Sequence, residues 1–493
     1  MEKSKLFDLA SKFAMLYLAV PFLIFSATWL KPFYALLCLA VMGVVIYGTF
    51  RNQTKNRQNK IKNGQEMISR SEFCRLLAVF ALIVLWVGMS GIGRSAFQNE
   101  DHAWRNGMFE MLVKQHWPVV MEGAAEEGLV RRGFSYYMGF WLPAACMGKL
   151  FGMGIGYKFQ MLWAVIGIYL FYLILCKLLG RIALWPMALF VLFSGMDILG
   201  YYVTGTNLRT IGQTEHLEWW CTLFQYSSFT TQLFWVFNQA VPAWLATVLM
   251  MAQEDNKQTV LIWALMLLNC TMPCVGLLPF LICKIAAFMP VKRFGKEEIL
   301  TYAKGIFTFD NLIGGGVVGI ISFLYLSKGD EMFSLGLIDL RGGGWLVYLV
   351  FLMMEAGILW LSVLWAYKNK PVFYVTFAWL ALCPLLDMYG DRNFCMRASI
   401  PALVILFIYV VKALTAAWEN KKRKHMLVIA LLIALGGVTP VHEFNRTIAE
   451  TYNVYVHGQG MLNQNSVSYE DIMHNGYETT DAEKNLFFRY LCR

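Results

Sequence analysis

Charge is scarce in this sequence. Of 493 residues only 15% are Asp, Glu, Lys or Arg, against 58% hydrophobic, which excludes a soluble protein of several domains. Eleven cysteines are present, yet no Cys-x-x-Cys pair and no His-Cys cluster has the spacing of a zinc site. Cys38, Cys176 and Cys283 fall inside apolar runs, and Cys270 with Cys274, one helical turn apart, reads as packing. The triplets Gly314-Gly315-Gly316 and Gly342-Gly343-Gly344 lack the Lys and Ser/Thr of a phosphate loop and suit hinges or close packing at span ends. No internal repeat marks two inverted halves. The first apolar run lacks a small-residue cleavage site before polar sequence, so it is expected to remain as a span.

What the sequence has instead is apolar runs of about 20 residues, the length that crosses a bilayer, along nearly its whole length. The expected fold is all-α: a polytopic integral membrane protein with about thirteen transmembrane helices. Spans are read near 10–30, 33–50, 75–91, 158–176, 182–196, 233–252, 258–272, 274–290, 306–326, 344–366, 372–387, 399–416 and 425–440. The net charge of +10 does not indicate nucleic acid, because the basic residues sit in short loops between runs, where they mark the cytoplasmic side. Lys3 and Lys5 put the N-terminus inside. The loop from Arg51 to Arg75, and later Lys292, Arg293, Lys296, Lys368, Lys370 and Lys421 to Lys424, fall on that same side.

Three regions follow from this count. Residues 1–74 form an N-terminal helical hairpin and a basic cytoplasmic loop; 75–440 form the transmembrane core, with external loops 92–157 and 197–232; and 441–493 form a short external tail. In the first loop, Trp104, Met108, Phe109, Leu112 and Val113 recur at helical spacing with Arg105, Asn106, Glu110 and Lys114 on other faces, as in a helix lying in the interface. Phe134 to Phe151 is apolar enough to cross. Counting it as a crossing would move Lys177, Arg181 and every later basic loop outside, so it is read as a juxtamembrane helix.

With this topology the polar residues converge on the external face. Glu100 and Asp101 are adjacent acids just past a span, with His102 and Arg105 beside them, and Asp197 opens the second loop. Acids beside lipid invite a functional explanation, although wet loops are also often charged. A late loop, Asp387 to Arg397, carries Asp391, Arg392, Asn393 and Arg397. An arginine fork matches a pair of phosphate oxygens, and it equally neutralises neighbouring acids or meets lipid headgroups. A carboxylate that deprotonates an acceptor hydroxyl, with cations that hold a departing lipid phosphate, is what glycosyl transfer from a lipid-phosphate donor needs. Donor phosphate contacts would come from Arg392, Arg397 and Arg105. Acceptor or sugar contacts would come from His102, Glu215, His216, Trp219, Trp220, Asp391 and Asn393. Glu215 and Glu218 lie one turn apart on a helix, with His216 pointing elsewhere, so they do not imitate a metal cluster. No spacing demands a metal; if a divalent cation, magnesium or manganese, is used, Glu100, Asp101 and Asp197 are the acids to hold it.

The order of a span, a long first external loop opening with acids, in-plane helices, two spans and a second acid resembles the GT-C superfamily of membrane glycosyltransferases. The resemblance implies a donor sugar on a polyprenyl phosphate, a glycan, lipid or protein acceptor, and Asp101 or Glu100 as catalytic base, with Asp197 as the second external acid. It rests on residues 75–200; the first-loop acids are adjacent and form no Asp-x-Asp, and two spans precede the commonest layout. The stretch Asp391 to Pro401 is similar to one in uncharacterised bacterial membrane proteins of this kind. The expected location is the inner membrane, with the N-terminus cytoplasmic and the C-terminus external. Two other functions fit the same pattern. A transporter or flippase would line a path with acids and arginines, although few charges, Glu355 and Lys284 foremost, fall at mid-span depth; a polysaccharide polymerase or ligase would rely on the external arginines.

Overall fold

The computed structural model describes residues 1–51, 66–125, 128–204, 216–289, 295–327, 335–388, 393–474, 476–479 and 481–493. The chain opens with the helical hairpin α1 (Lys3–Trp29) and α2 (Pro32–Arg51). Helix α3 (Arg70–Met89) starts at a capping box, in which the Glu72 amide donates to Ser69 Oγ at 3.2 Å and the Ser69 amide donates to Glu72 Oε2 at 3.0 Å. Two short helices follow. They are α4 (Asp101–Lys114) and, after the hairpin β1 (Val120–Ala125) with β2 (Gly128–Gly133), α5 (Leu142–Phe151). At 1.5 Å per residue they reach about 21 and 15 Å, short of the ~30 Å hydrocarbon core. Helix α6 (Met153–Leu179) then runs long again, with α5 packed on both α4 and α6.

Helices α7 (Trp185–Val191) and α8 (Asp197–Val203) are separated by the non-helical stretch Leu192 to Met196. Helix α9 (Phe229–Ala252) is central: every residue except Met251 is buried, packed against α1, α6 and a late helix. Next come α10 (Thr259–Ala264), α11 (Thr271–Ala287), α12 (Lys296–Ile306) and α13 (Gly315–Leu326). The strands β3 (Leu335–Leu337) and β4 (Leu386–Met388) pair antiparallel around α14 (Gly344–Tyr367) and α15 (Pro371–Leu382). Within α14 the turn Met353–Gly357 is widened to a π-turn. The chain closes with α16 (Asn393–Ala398), α17 (Ile400–Glu419), which is the late helix against α9, α18 (Arg423–Gly436), α19 (Val438–Tyr452) and α20 (Tyr469–His474).

Among the described residues eight helices are long and apolar enough to cross a membrane: α1, α2, α3, α6, α9, α14, α17 and the continuous α18–α19 rod. A ninth is available if the bent pair Lys296–Ile306 and Asp310–Leu326 crosses as one. The protein is therefore an all-α polytopic membrane protein. Helices α2 and α3 leave most of their surface outside the bundle, with Phe33, Leu36, Tyr47, Phe73, Leu77 and Leu85 exposed. Lipid is the natural neighbour for such faces, since removing one large apolar side chain from water is worth roughly 1.5–3 kcal/mol.

Beyond α19 the chain folds back over the end of the bundle that carries α4 and the hairpin. The Val467 amide donates to the Ala103 carbonyl at 3.0 Å, Thr479 N to Gly133 O at 2.9 Å, and Ala482 N to Arg131 O at 2.7 Å. The last residues bridge to the α1–α2 turn, where Leu30 pairs with Cys492 and Arg493 N donates to Trp29 O at 2.8 Å.

Candidate functional site

The site is organised by a fault in α9. Val236 leaves helical geometry (φ −133°, ψ 37°), which frees the carbonyls of Phe234 and Trp235 deep inside the bundle. Each buried carbonyl left unmet would cost about 1–3 kcal/mol. Side chains at the start of α4 meet both. Asn99 Nδ2 donates to Phe234 O at 2.8 Å, His102 Nε2 lies 3.1 Å from the same oxygen, and Arg105 Nε donates to Trp235 O at 3.3 Å. Gln98 donates to His102 Nδ1 (3.3 Å) and to Gly91 O (2.8 Å), which leaves the His102 proton on Nε2, facing Phe234. Burial, with the Arg105 charge adding to it, pushes the His102 pKa down to about 4, so the ring is neutral. Arg105 and Asn106, expected on a wet face of an interfacial helix, are in fact buried, because the broken helix and the Gln98 side chain need their donors.

Asp101 is the first residue of α4, where the helix dipole favours an anion. Arg105 NH2 donates to its Oδ2 at 2.9 Å, and the Asp101 side chain keeps 36% of its surface. Tyr136, Tyr137 and Tyr477 gather beside this pair, with ring centroids 3.8 Å apart for Tyr136 and Tyr137 and 4.9 Å for Tyr136 and Tyr477. Trp104 lies 5.8 Å from Tyr477. Burial raises the Tyr477 pKa and Tyr137 adds to the rise, while Arg105 and Arg397 oppose it and Asp101 reinforces it. These groups therefore all lie within electrostatic reach of Tyr477. Arg397 is nearly buried, donates to the Asn393 side chain, and has no hydrogen-bond partner at Nε.

No family model, curated protein or solved structure matches the chain.

Behind the Asp101 mouth lies a second, fully buried group of ionisable side chains. Glu218, in the loop before α9, accepts from the Ser228 amide at 2.8 Å and from Gln225 Nε2 at 2.9 Å. His216 stands between two carboxylates, with Nε2 3.5 Å from Glu218 Oε2 and Nδ1 3.5 Å from Glu443 Oε1. Glu443, from α19, also accepts from Trp235 Nε1 at 3.0 Å and from Arg446 at 2.6 Å. Burial, then the nearby Asp197 charge, pushes the Glu218 pKa up to about 8. On the far side, Asp197 Oδ2 accepts from Ser194 Oγ (3.1 Å) and Thr439 Oγ1 (2.7 Å). Its carboxyl is within hydrogen-bond reach of the carboxyl of Glu355, which sits in the π-turn of α14 and accepts from Trp220 Nε1 at 3.0 Å.

The structure thus distributes the sequence-predicted residues over two places. Asp101, Arg105 and Arg397 face the tyrosine-lined mouth, with Asn393 holding Arg397 and Glu100 exposed at the head of α4. Asp197, His216 and Trp220 are buried in the second group, and Trp219 lies against His216, ring centroids 5.3 Å apart. His102 braces α9 from inside. His216 and Glu218 do not diverge as they would on a helix: His216 is extended and leads into a single tight turn, Leu217–Trp220, so both side chains point inward. Glu215, Asp391 and Arg392 lie outside the described residues. Glu100, Asp101 and Asp197 do not assemble as a set, and among the described residues no group of three His, Cys, Asp or Glu side chains is spaced to share an ion.

Sequence reasoning passed over Glu443, Arg446, Trp235 and the tyrosines. Only the doublet Tyr136-Tyr137 and the Glu443/Arg446 spacing of one helical turn carried any signal, and neither is distinctive. Glu355 is visible in the sequence as a mid-span acid, without its partner.

Proposed function

We propose that this chain is a membrane glycosyltransferase. It moves a sugar from a polyprenyl-phosphate donor to a glycan, lipid or protein acceptor at the external face of the inner membrane. The observation that carries this reading is Asp101: a part-exposed carboxylate fixed at a helix start by a buried arginine, opening on a mouth that also holds Tyr136, Tyr137, Tyr477 and the unsaturated guanidinium of Arg397. In this mechanism Arg105 holds Oδ2 and Oδ1 takes the proton of the acceptor hydroxyl. The acceptor oxygen attacks the anomeric carbon, the bond from that carbon to the phosphate oxygen breaks with inversion, and Arg397, with Arg392, holds the departing lipid phosphate. The aromatic rings give the sugar a stacking surface.

Several features support the layout this requires. The eight long helices and the bent pair supply up to nine crossings; this reading takes the shorter apolar helices Thr259–Asn269, Thr271–Ala287 and Pro371–Leu385 and the broken 185–203 segment as the other four. That count puts α4, the hairpin, the 216–228 loop and the C-terminal segment on the external side and the basic loops inside. Helices α4 and α5 are then in-plane helices of the first loop.

The test is mass spectrometry of surface glycans and lipid-linked sugars from cells with wild type, a deletion, or Asp101→Asn. Loss of one glycosyl residue in both altered strains, with its polyprenyl-linked donor accumulating, is the expected result. A second reading, transport of a lipid-linked or small polar substrate, is favoured by the buried Asp197–Glu355 contact between the 192–196 break and the π-turn of α14. Unchanged glycans with lipid-linked sugars trapped inside would replace the first reading by the second.

A further inference from the structure

The Asp197–Glu355 contact has a chemical requirement. Two carboxyls within hydrogen-bond reach and almost wholly buried cannot both be ionised, so the pair holds a proton between them. The remaining oxygens, Asp197 Oδ1 and Glu355 Oε2, have no other hydrogen-bond partner. Fixed groups surround the pair: Ser194 and the break between α7 and α8 on one side, Thr439 of α19 on another, and Trp220 on a third. Gly195 is pressed so closely that a methyl group there would lie 1.9 Å from Glu355 Oε2, which leaves no room for water.

From this pair ionisable groups lead outward. Glu218 acts electrostatically on both members of the pair, His216 lies 3.5 Å from Glu218 and 3.5 Å from Glu443, and Glu443 is 2.6 Å from Arg446, whose side chain keeps 12% of its surface. We propose that Glu443, His216 and Glu218 form a proton relay that loads and unloads the Asp197–Glu355 pair from the aqueous end of α19. Imidazole suits the middle position, because one ring nitrogen accepts while the other releases. When the pair has lost its proton, Glu218 gives up the one it holds; a proton carried in by Glu443 then goes to His216 Nδ1, the imidazolium gives its Nε2 proton to the emptied Glu218, and the same steps run in reverse. With Glu218 titrating at about 8, it holds a proton at neutral pH, as an inner carrier must.

The charged groups facing this line from the surrounding elements are Arg446 on α19 and Asp101 with Arg105 on α4, the latter reaching it through the Trp235 carbonyl. Arg446 donates to Glu443 at 2.6 Å, so a proton that reaches Glu443 has to loosen that contact. The consequence is mechanical: removing the shared proton puts two carboxylates in contact and drives the 192–196 break away from the π-turn of α14.

The experiment is infrared difference spectroscopy on the purified full-length protein in lipid nanodiscs, and it reads no sugar, so it stands apart from the test of glycosyl transfer. Wild type is expected to show carbonyl bands of protonated carboxyls at neutral pH, of which the one from the pair is lost in Glu355→Gln, with rapid deuterium exchange. His216→Phe should keep the band and slow its exchange by roughly 10²-fold or more. If His216→Phe does not fold, Glu443→Gln takes its place with the same expected slowing. A wild-type spectrum with no band that Glu355→Gln removes would overturn the shared proton, and a pair band that exchanges equally fast in the folded relay variant would overturn the relay.

Discussion

His216 lies flat against Trp235, their ring centroids 5.1 Å apart and their planes 6° from parallel. That stack sets one indole between the two halves of the site. Trp235 Nε1 donates to Glu443 on one side, while the Trp235 carbonyl takes Arg105 on the other. The mouth around Asp101 and the buried acids therefore share a residue without sharing an ionisable group.

Trp235→Phe keeps the ring and removes the donor to Glu443. The expected loss is about 1–3 kcal/mol, the cost of a buried acceptor deprived of one partner. Thermal unfolding of Trp235→Phe, Glu443→Gln and the double variant checks it. The loss should shrink in the Glu443→Gln background, and equal losses in both backgrounds would contradict the bond.

His102 predicts a pH dependence. Its folded pKa of about 4 lies below the unfolded value of 6.5. Between those values the unfolded chain takes up a proton that the folded chain refuses, so stability is complete above pH 6.5 and falls as the pH drops toward 4, by up to ~3 kcal/mol. Denaturation in detergent from pH 7.5 to 4 should show that decline, and His102→Gln should flatten it.

Asp101 and Arg105 should separate by kind of damage. Asp101→Asn is expected to cost about 10²- to 10⁴-fold in transfer with little change in melting temperature. Arg105→Ala leaves the Trp235 carbonyl bare and should destabilise the fold by ~1–3 kcal/mol as well. A fully active Asp101→Asn protein would end the assignment of Asp101 as base.

Gly195→Ala should be far costlier than its size implies. The added methyl overlaps Glu355 Oε2 and has to displace it from Asp197. Overpacking of this kind costs typically 1–3 kcal/mol. The melting temperature should fall, and Glu355→Gln should not rescue it, because an amide fills the same space.

Ser69→Ala serves as a control away from the site. Loss of the α3 capping box should cost about 1 kcal/mol and leave any transfer activity unchanged.

The long helices were legible because lipid imposes a minimum apolar length, and runs such as Lys3–Trp29 and Met153–Leu179 announce themselves. The charge of the later loops argues for Phe134 to Phe151 as a juxtamembrane helix, and in that stretch α5 spans only Leu142–Phe151. The break at Val236 was not legible: Val is an ordinary helix residue in a span, and what sustains its geometry is supplied by Asn99, His102 and Arg105 from another part of the chain. Asp101, Arg105 and Asp197 stood out as acids and bases near lipid. Glu443 did not, because its closeness to His216 arises only when α19 packs beside α9.

The fault in α9 also constrains how the protein is assembled. A straight helix can leave the insertion machinery for lipid on its own, but α9 carries the two bare carbonyls of Phe234 and Trp235. Each is expensive in hydrocarbon until a partner arrives. Those partners precede it in the chain, on a short helix that never needs to cross. The start of α4 is therefore already made when α9 emerges, and it can dock as the break forms, so the order of synthesis supplies the partners before they are needed.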